Sequence, residues 1–195
     1  MAQGTNGAWL ALGVAGAVAA AGAVAERGGS RSVAKTGVNV PRKHILDDAE
    51  VYEDAEVSGN AMVYEDARLH GEAKVYGNAK VYDYAEVSGN AKVYGGAKVR
   101  GHTGVSGKAE VYGDAEVFGN ADVFDEAKVY GNAKVSGNSE VFGNAKVYGS
   151  AKVRGDAYVF GNAEIGGTAI ILGGAWDGSE GPIMSGKWKG PGMRA

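Results

Sequence analysis

Three histidines, His44, His70 and His102, are the side chains here best suited to acid–base work near neutral pH, and the chain has no cysteine. A histidine base must reach the proton it takes and be held in orientation while it does so. His70 and His102 are the weak candidates for that role. A zinc site needs three ligand atoms at about 2.0–2.1 Å from one ion, and no two of these histidines have the close spacing of shared ligands. No metal and no resident cofactor is therefore expected. The second group with chemical potential is aromatic. Tyr76, Tyr94, Tyr112, Tyr130 and Tyr148 recur at intervals of eighteen, and Phe124, Phe142 and Phe160 do the same. A contiguous aromatic stripe marks an interface or stacks internally to stabilise a parallel sheet.

The positioning elements follow from a shorter period. Every sixth residue from Ile45 to Ile171 is Val, Ile or Leu, without one insertion, and from Val51 onward a small residue stands two places before each, usually Ala. That alanine register runs from Ala49 to Ala175 and departs only at Thr103 and Ser139. A six-residue unit cannot bury a core alone, so it must stack on its neighbours as a solenoid. In Ala73–Asn78, Ala73 and Val75 share the inner side of a short strand while Lys74 and Tyr76 point outward. Gly77 and Asn78 form a corner where one residue takes positive φ, which Gly and Asn tolerate best. The eighteen-residue aromatic interval makes three hexads one coil. In this frame His70 takes an outward slot usually held by Tyr or Ser, and His102 a corner slot usually held by Asn. Neither slot supplies an evident orienting partner.

An aliphatic residue followed four places later by Ala, Ser or Thr resembles the hexapeptide repeat of left-handed β-helix proteins. The resemblance implies an all-β fold, a left-handed parallel β-helix of about seven coils over residues 45–175. It covers about two-thirds of the chain. It also implies an alternative activity, that of trimeric acyltransferases, in which a histidine deprotonates the acceptor and acyl-CoA lies between neighbouring prisms. No loop interrupts the hexads to wall an acceptor pocket, which sets this chain apart from those enzymes and closer to loop-free bacterial and phage hexapeptide-repeat proteins.

Outside the repeats, residues 1–25 contain no charge, and Ala8–Ala25 reads as an apolar segment near the roughly 20 residues that span a bilayer. The basic residues Arg27, Arg31, Lys35, Arg42 and Lys43 follow it. By the positive-inside rule this anchors the chain in a bacterial membrane with the β-helix in the cytoplasm. The alternative is a signal segment cleaved near Ala25, leading to export. Residues 26–44 read as a linker and first-coil cap, and residues 176–195, with Trp176 and Trp188, as a C-terminal cap.

A formal charge of −3 argues against a broad basic surface and against nucleic acid as a partner. Outward rows of Lys and Glu recur at intervals of eighteen, one from Glu56 to Glu164 and another through Lys80, Lys98, Glu116, Lys134 and Lys152. They read as a solvated face, with an acidic polymer or anionic lipid as the other possibility because of the adjacent lysines. The leading expectation is a membrane-tethered structural or scaffolding rod. It would form a trimer or larger homo-oligomer through its aromatic rows, by analogy with bactofilins, the bacterial cytoskeletal β-helix polymers. A carbohydrate-binding rod, with Tyr94, Tyr112 and Tyr130 stacking on sugar rings, is the third reading.

Overall fold

The computed structural model describes residues 33–34, 44–52, 54–190 and 193–194. The apolar segment 8–25, with the membrane topology that depends on it, lies outside the described residues.

Each hexad is a strand of two or three residues and a corner, and three hexads close one coil of a parallel β-solenoid of about eight turns. Strands pair in register with those eighteen residues on. Glu56–Val57 meets Lys74–Val75, and Lys80–Tyr82 meets Lys98–Arg100. Three faces result. The first begins at Glu50–Val51, the second at Glu56–Val57 and the third at Met62–Val63. The longer strands Lys152–Val159 and Ile170–Trp176 run round a corner and join the third face to the first.

The alternation expected along each strand is met throughout the repeats, where the Ala and Val positions are buried and the intervening residues are not. A small residue stands beside each corner because two faces converge there, while the larger Val fills the widening interior. Each buried Val side chain contributes roughly 1.5–3 kcal/mol of transfer energy before chain entropy is subtracted. Backbone groups are satisfied coil to coil. Lys74 N–H donates to Ala91 O at 2.9 Å, Tyr76 N–H to Val93 O at 3.0 Å and Asn78 N–H to Gly95 O at 2.7 Å.

Positive φ falls on the first corner residue. Gly77 has φ 76°, and an added Cβ there would sit 3.0 Å from Gly95 N. Both the dihedral and the tight stacking of corners therefore call for glycine. Asp47, Glu65, Asp83 and Asp125 occupy the same conformation at φ 59–60°. Three of them repair the cost with a side-chain bond to the next coil. Glu65 Oε2 accepts from Asp83 N–H at 2.9 Å, Asp83 Oδ2 from Gly101 N–H at 3.0 Å, and Asp125 Oδ2 from Gly143 N–H at 3.2 Å.

Two expectations are corrected at the C-terminal end. The coil count is about eight, not seven, because residues beyond Ala175 continue the stack. Trp176 pairs with Val159, Ile183 bridges Ile165, and Trp188 pairs with Ile171. The spacing from Ile171 to Trp176 is five residues, so Ala175 aligns with Tyr158 and is exposed instead of filling an inner alanine position. The indoles of Trp176 and Trp188 meet edge to face at 6.0 Å, and their N–H groups donate to Gly173 O and Ser185 O. Strand Lys187–Gly190 then turns back into Met193–Arg194, which pairs antiparallel and closes that edge to parallel addition. At the other end, Val33–Ala34 pairs with Glu50–Val51, and buried His44 donates from Nδ1 to Ala61 O at 2.8 Å.

Candidate functional site

The surface is organised as rows running along the rod. The tyrosine row of the second face stacks ring on ring, with centroids 4.8 Å apart for Tyr76–Tyr94 and 5.3 Å for Tyr130–Tyr148. Phe124, Phe142 and Phe160 stack likewise on the first face at 4.8 and 5.2 Å. Each ring is half-buried, since its neighbours cover its faces and leave the outer edge exposed. Burial raises the pKa of Tyr94, reinforced by Glu110, whose carboxylate accepts its hydroxyl at 3.1 Å. Tyr76, Tyr112 and Tyr130 are raised by burial too. Those four tyrosines therefore stay protonated across the physiological range.

A third row escaped the sequence reading. On the third face Tyr64 stacks on Tyr82 at 4.8 Å, and Arg100 lies 4.5 Å over the ring of Phe118. The signal was present, as the same interval of eighteen separates these four residues. It was hidden because the row mixes tyrosine, arginine and phenylalanine.

The third face gathers more cations than the formal charge of −3 suggests. Lys80, Lys98, Lys134 and Lys152 share one row with Glu116 as its acid, and Arg100 and Arg154 stand in the adjoining row. Lys187 and Lys189 extend both rows on the last coil. Glu116 lies 4.0 Å from Lys98 and 3.2 Å from Lys134, whereas no ion pair forms to Lys80, Lys152 or Arg154 among the described residues. Acid concentrates elsewhere, with Glu86, Asp122 and Glu140 in the outward row of the first face. Charges on the second face pair along its row, as in Lys74–Glu56 at 3.1 Å and Lys146–Glu164 at 2.9 Å.

Two of the histidines, His70 and His102, fall near one irregular spot. His70 Nε2 lies 2.8 Å from Glu86 Oε1, which supplies the orienting partner that its slot had not revealed. Glu86 also lines a shallow depression with Tyr84, His102, Thr103, Gly104 and Asp122. His102 stacks on Tyr84 at 4.7 Å. Gly104 stands where neighbouring coils carry a charged side chain, and its N–H donates to Asp122 Oδ1 at 2.8 Å. Thr103 replaces the inner alanine and leaves its buried Oγ1 without a partner, whereas Ser139 at the equivalent kind of position donates to Ser136 O. The lining carboxylates would repel an anionic acyl-CoA. No group of three His, Cys, Asp or Glu suited to a metal ion occurs among the described residues.

Residues 55–71 match the family of the YdcK beta-solenoid repeat. Neither a curated protein nor a solved structure matches the chain. The match and the coil geometry together make this a repeat β-solenoid protein.

Proposed function

We propose that this chain is a structural or scaffolding rod, a left-handed β-helix of the hexapeptide-repeat kind, tethered to a membrane through residues 8–25 and self-associating through its aromatic rows. The observation that carries this reading is the continuous five-ring tyrosine stack. It offers a straight, neutral edge along the rod, about 20 Å long at the rung spacing of ~4.8 Å. A second rod can lay the same edge against it, burying the exposed ring edges as apolar surface.

The test replaces Tyr94, Tyr112 and Tyr130 together with serine, a residue this slot already accepts at Ser58, Ser88, Ser106 and Ser136. The mass of the full-length chain should shift to smaller species. An unchanged mass distribution rejects the row as the interface.

The His70–Glu86 contact is the one observation favouring an acyltransferase. Loss of an authentic acyl transfer in His70→Ala supports it, and absence of turnover across acyl donors and acceptors rejects it.

A further inference from the structure

We infer that the third face is a docking surface for an anionic lipid bilayer, on which the rod lies lengthwise. The charge of the molecule is segregated by face. The third face gathers six cations in its two outward rows before the terminal coil, against Glu116 alone, while Glu50, Glu86, Asp122 and Glu140 make the first face the acidic one. Lys80, Lys152 and Arg154 have no acidic partner among the described residues. They cost the fold little to present to an external anion. From Lys80 to Lys187 the rows extend about 29 Å at the ~4.8 Å rung spacing.

The shape and the apolar complement decide between anionic partners. Parallel strands in register make this a flat face, without a groove to track a single polymer backbone. Apolar side chains stand among the cations. Leu46 is 43% exposed at the first coil, and Ile170 and Leu172 are partly exposed near the last. Tyr64, Tyr82 and Phe118 stand between them. Cations interleaved with aromatic and aliphatic side chains on one plane fit the headgroup layer, where lysine and arginine meet lipid phosphates and apolar tips enter the acyl boundary. This surface is separate from the tyrosine row, so docking and self-association can operate together or fail independently.

The absence of cysteine makes the test direct. Ser136→Cys places one label on the third face, between Phe118 and Arg154, and Ser106→Cys places one on the first. Each full-length variant carries an environment-sensitive fluorophore and is mixed with phosphatidylcholine vesicles, with or without phosphatidylserine. Quenching by neutral acrylamide reports shielding. The expected result is shielding at position 136, not at 106, only on phosphatidylserine vesicles. It should be lost as salt rises from about 0.1 M to about 1 M, which shortens the Debye length from ~10 Å to ~3 Å. Replacing Lys80, Lys152 and Arg154 with Gln should weaken it at least tenfold, since each near-surface cation is worth roughly a factor of five. Equal shielding at both positions, or on both vesicle types, overturns the proposal. So does equal shielding by DNA or heparin without vesicles, which assigns the face to a soluble polyanion. Shielding in free solution that grows with protein concentration assigns it to a second copy and overturns it as well.

Discussion

Replacing Asp125 separates backbone strain from hydrogen bonding at a corner. The residue is exposed and sits at φ 60°, a region that costs a side-chain-bearing residue about 1–2 kcal/mol and glycine almost nothing. Its carboxylate offsets that cost by accepting from Gly143 N–H, a bond worth about 1 kcal/mol at a site water can reach. Asp125→Ala keeps the strain and loses the bond, so it should destabilise by about 1 kcal/mol. Asp125→Gly loses the bond and the strain together and should fall between neutral and about 1 kcal/mol more stable. The two variants thus differ by about 1–2 kcal/mol in favour of glycine, with Asp125→Asn near the wild type because it keeps an acceptor. Urea unfolding followed by circular dichroism measures this, with slopes compared as well as midpoints because repeat arrays can lose cooperativity. An alanine variant as stable as the glycine variant would refute the claim that these acids compensate for a left-handed backbone.

Thr103→Ala should stabilise by about 1 kcal/mol, because it removes a buried hydroxyl without a partner, and a lower thermal midpoint would contradict this. Tyrosine absorbance at 295 nm should show Tyr94 and its neighbours titrating above the ordinary value of 10.0. Because the folded-state pKa is raised, the stability these groups contribute is present below that value and lost as pH climbs through the higher folded range; a row titrating normally refutes the burial. Glu65 is raised from 4.5 by burial first and then by its contact with Asp83. The folded state therefore holds this proton more tightly, and stability falls as pH rises through the carboxylate range. Glu65→Gln should flatten that slope, and an unchanged slope would exclude Glu65 as its source.

The core was legible because one physical constraint repeats without interruption. Val or its equivalents every sixth residue, with Ala two places earlier, leave one way to alternate inside and outside. The eighteen-residue aromatic interval likewise gave three hexads per coil, as the pairing of Tyr76 beside Tyr94 bears out. What the period did not encode was missed. The five-residue step to Trp176 breaks the register by one, which turns Ala175 outward and lets an indole fill an inner position. Glu86 reaches His70 from sixteen residues away, on the adjacent coil, so no local spacing announced the pair. The lysine row from Lys80 to Lys152 was legible from its interval of eighteen. Net charge gave no sign of it, because a sum over the chain cancels cations on one side of a prism against carboxylates on another. Compositional charge constrains the average field and not its distribution.

The account's central claim, assembly of rods through the tyrosine row, is tested most directly by absolute mass. Light scattering of the full-length chain across a hundredfold concentration range would be compared with the Tyr94, Tyr112 and Tyr130 triple serine variant in the same detergent. Growth with concentration in the wild type, abolished in the variant, is the predicted result. A fixed monomer, or a fixed trimer in both proteins, would contradict it.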